Sequence, residues 1–212
     1  MEDPKKIVEE GYDRIARRYL ETFDADPSTT RMWFLAEVLR RVPEGADVLE
    51  LGCGSGIPVA KALVEGGRRY TGVDISSAQL ALAREHVPAG TFAKSDFTSM
   101  EQPDGSLDAV VSFYAFNHVP PAEQAPTIER AFAWLRPGGR FCATLTGGGD
   151  AFEDVEEDWL GVPMYFAGIP FEDDERILRE AGFELELSEV REEVEHDGQS
   201  VSFHWAIARK PG

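Results

Sequence analysis

The chain has 212 residues, 42% hydrophobic and 28% charged, a composition that supports an ordinary globular core with no need of disulfides or a structural metal. Its 39 Asp and Glu against 21 Lys and Arg leave a formal charge of −18, which repels a phosphate backbone and argues against a nucleic-acid partner. No apolar run reaches membrane-span length, so no membrane partner is expected, and the charged residues 1–10 with no apolar stretch behind them point to a cytoplasmic protein.

Residues 3–23 read as an amphipathic helix in which Ile7, Ile15 and Ala16 recur at helical spacing, and Tyr12 and Tyr19, two turns apart, share a face. Asp26-Pro27-Ser28 is a break, residues 29–42 form a second helix, and Pro43-Glu44-Gly45 stops it. Residues 47–51 are a first strand, 52–56 a glycine loop and 57–65 a helix ended by Gly66-Gly67. A strand over 70–73, a helix over 76–87 with Ser76 as its cap and a strand over 91–94 follow. The mainly apolar run 107–113 is a strand covered on both faces, succeeded by a helix over 121–135 and a strand over 140–145. Five strands with helices between most of them predict an α/β fold with a parallel, doubly wound sheet.

After Thr146 the rhythm breaks. Gly147-Gly148-Gly149 opens a long loop or insert reaching Pro170, and residues 171–180 form a helix. Strands over 183–189 and 201–208, joined by acidic residues around 192–197, predict an antiparallel C-terminal hairpin. The acidic runs 153–158, 172–175 and 184–197 read as solvated faces. Cys53 and Cys142 lie far apart in apolar contexts and read as packed, reduced thiols, and no His, Cys, Asp or Glu grouping has metal-ligand spacing.

The chemistry starts at Gly52-Cys53-Gly54-Ser55-Gly56, between a strand and a helix. Glycines there permit a tight turn and leave backbone exposed to a ligand, and the helix N-terminus behind them favours a negative group. A dinucleotide loop needs its third glycine one residue later, where Ile57 stands, which weakens a dehydrogenase reading; no Gly-Lys-Ser/Thr completes a Walker loop either. A purely structural turn is the remaining alternative. Asp74 closes the second strand 22 residues past Gly52, close to the spacing of about 20 at which this fold sets an acid against a ribose diol; a helix-capping aspartate is the alternative.

These residues resemble the class I S-adenosylmethionine-dependent methyltransferases of the small-molecule branch. Val48 to Gly56 is similar to their first motif, Val73-Asp74-Ile75-Ser76 to the ribose-binding acid and its neighbour, and Ser95-Asp96-Phe97 to the adenine-contacting pair. Residues 107–119 resemble the strand and loop beside the methyl-transfer site, Leu135 to Arg140 the turn before strand five, and Tyr12 to Tyr19 an N-terminal helix that caps the cofactor. The likeness weakens over 147–170. It implies a Rossmann-like, seven-stranded sheet, mostly parallel, in one domain: capping helices over 1–45, a cofactor-binding core over 46–146, a lid or insert over 147–170, and a helix and hairpin over 171–212.

It also implies methyl transfer from S-adenosyl-L-methionine to a small-molecule acceptor with an oxygen, nitrogen, sulfur or carbon nucleophile, by a monomer or homodimer. Gly52, Gly54 and Gly56 would hold the amino-acid end with Tyr12 and Tyr19, whose alternative is core packing. Glu50 would brace the loop or the ammonium. Asp74 would take the ribose, Ile75 and Phe97 would sandwich adenine, Asp96 would accept from its amino group, and Gln79 and Phe113 would complete the site. His118, after the fourth strand, is the candidate general base or else a loop-fixing histidine. Tyr114, Asn117, Trp159 and Tyr165 are candidate acceptor contacts, the last two in an aromatic lid or a satellite hydrophobic cluster. His196 and His204 lie late in the chain, and His204, beside Trp205 in a strand, reads as packed or at an edge. A protein or nucleic-acid methyltransferase and a non-catalytic cofactor-binding protein are the rival readings.

Overall fold

The computed structural model describes residues 3–24, 28–146, 149–194, 198 and 200–212. Asp3 opens helix α1 (Pro4–Tyr19) by accepting from the Lys5 backbone N–H at 3.0 Å, and Pro4 occupies the first turn, where no N–H is needed. The helix does not run on regularly to residue 23; it widens into one π turn, Leu20–Asp24, which ends with Asp24 buried. Of the expected break, Asp26 and Pro27 lie outside the described residues. Ser28 caps helix α2 (Thr29–Arg41), its hydroxyl accepting from the Arg31 N–H at 3.0 Å.

The alternating part follows: β1 (Asp47–Leu51), α3 (Val59–Glu65), β2 (Arg69–Asp74), α4 (Ser77–His86), β3 (Thr91–Lys94), β4 (Leu107–Ser112), α5 (Pro121–Trp134) and β5 (Leu135–Thr146). Next come β6 (Phe152–Trp159), β7 (Val162–Gly168), α6 (Phe171–Glu180), β8 (Glu184–Val194) and β9 (Ser200–Arg209). The seven-stranded sheet has the order β3-β2-β1-β4-β5-β9-β8. Its first five strands pair in parallel, and β9 runs antiparallel to both β5 and β8. This is the expected α/β, Rossmann-like sheet with its C-terminal hairpin. The winding reverses between β1 and β4, so a crevice opens beyond the carboxyl ends of those strands.

Both faces of the central sheet are covered, which is why Ala109, Val110 and Val111 of β4 have no exposed surface. One face packs Phe116, Ile128, Trp134 and Phe141, the other Phe34, Val38, Leu63 and Trp205. Each such buried side chain contributes roughly 1.5–3 kcal/mol. Ser76 caps α4 as expected, accepting from the Gln79 N–H at 3.1 Å.

Three expectations need correction. Within the expected loop or insert, the described residues are no loop: β6 and β7 form an antiparallel hairpin, turned at Leu160 and Gly161 with φ of +50° and +83°. Its first strand, Phe-Glu-Asp-Val-Glu-Glu-Asp-Trp, is mostly exposed, so its acids mask the strand pattern. Gly147 and Gly148 lie outside the described residues. β5 begins at Leu135, because the Pro137-Gly138-Gly139 turn is absorbed as a register shift against β4. β8 continues to Val194, so Glu192 and Glu193 belong to a strand; residues 195–197, His196 among them, lie outside the described residues.

Both cysteines are free and buried. Among the described residues no helix is long and apolar enough to cross a membrane, and no group of three His, Cys, Asp or Glu could hold a metal.

Candidate active site

Where β1 ends, Gly52 and Gly54 turn the chain with φ of +71° and +52°. A Cβ on Gly52 would lie 2.4 Å from that of Ala115, whereas one on Gly54 would meet nothing within 4 Å, so Gly54 presents bare backbone to the cleft. Asp74 ends the neighbouring strand. Its Oδ2 accepts from the Gly54 N–H and its Oδ1 from the Ser76 N–H, both at 2.8 Å. Burial pushes this carboxyl up to about 6, against the pull of the backbone N–H groups. Each oxygen keeps a second lone pair for a ligand hydroxyl.

Above these atoms lies a cleft of about 700 Å³ counting its open mouth. Tyr12, Tyr19, Gly52, Gly54 and Asp74 line it, as do Ile75, Gln79, Asp96, Phe97 and Phe113. Two of the expected cofactor residues do not. Gly56 is the close approach of loop to helix, since a Cβ there would sit 3.2 Å from the Ala83 Cα. Glu50 lies beneath the loop, 2% exposed, and accepts from the Tyr70 hydroxyl. Burial pushes its carboxyl up to about 8, so at neutral pH it is largely an uncharged acid and suits a brace rather than an ammonium partner.

Gln79 is 1% exposed, yet neither its Oε1 nor its Nε2 has a hydrogen-bond partner. A buried amide left with both ends open costs several kcal/mol on the order of the desolvation penalty, unless a ligand completes it. An adenosine group offers hydroxyl and ring-nitrogen partners of both kinds, so the residues present fit S-adenosylmethionine.

Sequence reasoning missed what holds α1 over the cleft. Lys5 bridges Asp96 at 2.9 Å and Glu123 at 2.6 Å. Lys94 reaches Glu9 at 2.5 Å, and the Asp13 carboxylate accepts from the Ser76 hydroxyl at 2.7 Å and the Ala78 N–H at 3.0 Å. Burial would raise the Asp96 carboxyl, but Lys5 and Thr98 together hold it below its ordinary value. Nothing local in the sequence announces these contacts, because each joins segments more than 60 residues apart.

A second cavity, about 1810 Å³ counting its wide mouth, adjoins the first. Tyr12, Tyr19, Tyr114 and His118 line both. Asn117 and Trp159 line the second alone, together with Phe166, Asp154 and Glu156 from the hairpin. Tyr165 lines neither. Strand alternation turns it away from Phe166, and its hydroxyl donates to Glu153 at 2.8 Å. What Tyr165 offers instead is its backbone carbonyl, which accepts from His118 Nδ1 at 2.7 Å.

That bond fixes the imidazole. A carbonyl only accepts, so Nδ1 carries the proton and Nε2 accepts from the Tyr12 hydroxyl at 2.9 Å. Burial pushes His118 down to about 4, so it is neutral at physiological pH. Asp24 and Arg31, also missed, tie the π turn to the glycine loop: Arg31 donates to Asp24 at 2.7 Å, and the Ser55 hydroxyl donates to the same carboxylate at 2.7 Å. His204 lies elsewhere, fully buried beside Asp174 at 3.3 Å.

Residues 48–139 match a family described as a methyltransferase domain. A probable S-adenosylmethionine-dependent methyltransferase from Mycolicibacterium smegmatis is 32% identical over 142 residues, 67% of this chain and 53% of that protein. A trans-aconitate 2-methyltransferase from Variovorax paradoxus is 39% identical over 114 residues, 49% of this chain and 40% of that one. The chain thus spans about half the length, or less, of these curated relatives. In fold it is similar to Burkholderia thailandensis 1,6-didemethyltoxoflavin-N1-methyltransferase with bound 1,6-didemethyltoxoflavin and S-adenosylhomocysteine, at a TM-score of 0.74 and 18% identity, covering 100% of this chain and 92% of that one. Residues 48–139 thus carry a methyltransferase domain, and the chain is similar in sequence to S-adenosylmethionine-dependent methyltransferases.

Proposed function

We propose that this chain transfers a methyl group from S-adenosylmethionine to a small-molecule acceptor in the cytoplasm. The observation that carries the reading is the junction of the two cavities at Tyr12 and His118. One cavity holds an unpartnered buried amide and a strand-end carboxylate, and the other opens beside them. The cofactor, when bound, supplies a methyl carbon on a positively charged sulfur; the acceptor's lone pair forms the new bond as the C–S pair returns to sulfur.

The chain's own work is placement. Asp74 accepts from the ribose hydroxyls, Gly52 and Gly54 leave room for the amino-acid end, and Ile75 and Phe97 flank the base, with Asp96 shared between its amino group and Lys5. Holding donor and acceptor in line supplies much of the acceleration. If the acceptor carries a proton, the Tyr12 oxygen takes it as the Tyr12 hydroxyl passes its own proton to His118 Nε2, the atom it already donates to. In this reading α1, the π turn and α2 cap the cofactor, and the β6–β7 hairpin walls the acceptor cavity. An anionic acceptor, such as the one in the Variovorax relative's name, suits that cavity poorly, because Asp154, Glu156 and Glu193 line it.

Calorimetry with S-adenosylhomocysteine, with NAD as the control, tests the reading. Micromolar binding of the first and no heat from the second is expected. No binding of S-adenosylhomocysteine would sink the proposal.

A further inference from the structure

The second cavity divides into an apolar inner part and an acidic outer part. Trp159 lies at its centre, with ring centroids of Tyr12 at 6.0 Å, Phe23 at 6.1 Å and Phe166 at 5.4 Å. His118 is 4.9 Å from Phe166, so this aromatic wall reaches the junction with the cofactor cleft. The outer part carries the carboxylates of Asp154 and Glu156, both exposed, on the inward-facing positions of β6. Glu193 faces them from β8, held by the Tyr114 hydroxyl, which donates at 2.9 Å to Oε1 and lies 3.0 Å from Oε2.

Among the described residues, Arg31 is the one cationic side chain lining this cavity, and Asp24 already engages it at 2.7 Å while its guanidinium lies 4.6 Å from the centroid of the Tyr114 ring. Asn117 adds a buried Oδ1 with no partner, an acceptor waiting for a donor. Aromatic faces attract cations, and a mouth lined by one sign of charge focuses the field on entering ligands. The −18 charge of the whole chain acts in the same direction.

Resting on the methyltransferase reading, we infer that the acceptor is a small molecule with an apolar or aromatic body and a cationic amine, the body against Trp159 and the cation among Asp154, Glu156 and Glu193. Its nucleophilic atom then points inward, toward Tyr12 and His118. Selection is by charge at the mouth and by shape within.

The test uses the whole chain saturated with S-adenosylhomocysteine, titrated separately with tryptamine, 3-ethylindole and indole-3-propionate. These three indoles have side chains of similar size and differ chiefly in charge. The cation is expected to bind about tenfold more tightly than the anion, with the neutral probe between them, as exposed and half-buried charge contacts allow. The double variant Asp154→Asn, Glu156→Gln should erase most of that preference while leaving S-adenosylhomocysteine affinity unchanged. Equal or tighter binding of indole-3-propionate, a preference that survives in the double variant, or no binding of any probe would overturn the inference while the cofactor reading stands. Loss of S-adenosylhomocysteine binding in the wild type would remove both.

Discussion

Replacing Asp74 by Asn separates the ligand role of this residue from its role in the fold. The substitution keeps size and shape but leaves one acceptor oxygen where two now serve the N–H groups of Gly54 and Ser76. One N–H then faces an amide NH₂ group, a mismatch of about 1–3 kcal/mol. Against this, burial raises the carboxyl from 3.8 to about 6, so at pH 7 its ionisation destabilises the fold by about 3 kcal/mol, a cost the amide avoids. The two effects nearly cancel, and the melting temperature should move by only a few degrees. Ligand binding has no such compensation. Two ribose hydroxyls lose a charged acceptor, about 3 kcal/mol, and S-adenosylhomocysteine should bind roughly a hundredfold more weakly by calorimetry. The pH dependence follows in sign. The carboxylate is the binding form, so wild-type affinity should hold above pH 6 and fall about tenfold per pH unit below it, and the variant should show no such fall. A variant that melts far below the wild type yet keeps its affinity within about threefold would refute the reasoning, leaving Asp74 a brace for the loop and nothing more.

Tyr12→Phe removes the donor to His118 Nε2. Turnover should drop about 10- to 100-fold with S-adenosylhomocysteine affinity within about threefold; a loss confined to affinity would assign the hydroxyl to the cofactor's carboxylate instead. His118 should make stability depend on pH. Its folded value of about 4 lies below 6.5, so the unfolded chain takes up a proton first and stability should fall as pH drops through that interval, by up to about 3 kcal/mol, with His118→Gln flattening the dependence in urea melts at pH 7 and pH 5. Trp159→Ala should raise the acceptor's KM while leaving S-adenosylhomocysteine affinity intact, and should cost stability of about 3 kcal/mol, because the ring is buried at the centre of the aromatic wall. An unchanged KM would reduce the wall to a packing cluster.

The parts legible in the sequence are those written in adjacent residues. The loop from Gly52 to Gly56 and the acid at the tip of β2 depend on short segments whose glycines and apolar runs leave little choice, and the consecutive Ala109, Val110 and Val111 of β4 report burial on both faces directly. The β6–β7 hairpin was hidden because five of the eight residues of β6 are acidic, and acids read as a solvated loop rather than as the mouth of a cavity. Tyr12 and His118 were both candidates, but their hydrogen bond across 106 positions was not readable. Lys5, Asp13, Asp24 and Arg31 escaped notice for the same reason: a polar residue on a helix face gives no sign of which distant group it meets. The sequence points to the Tyr165 ring, whereas the residue serves the site through its carbonyl. Glu50 belongs to a recognised motif, yet packing with Tyr70 keeps it out of the cleft.

Because α1 contributes Tyr12 and Tyr19 to both cavities, the acceptor's site is complete only when that helix lies where its contacts with Asp96, Lys94 and the start of α4 hold it. In the proposed reading the same helix also spans the cofactor's entrance, so entry of the donor would come before the acceptor's site is whole, and departure of the spent donor after the methylated product has gone. Steady-state kinetics should accordingly show a compulsory order, with S-adenosylhomocysteine competing against S-adenosylmethionine and not against the acceptor. A random-order pattern would mean that the helix moves independently of what it covers.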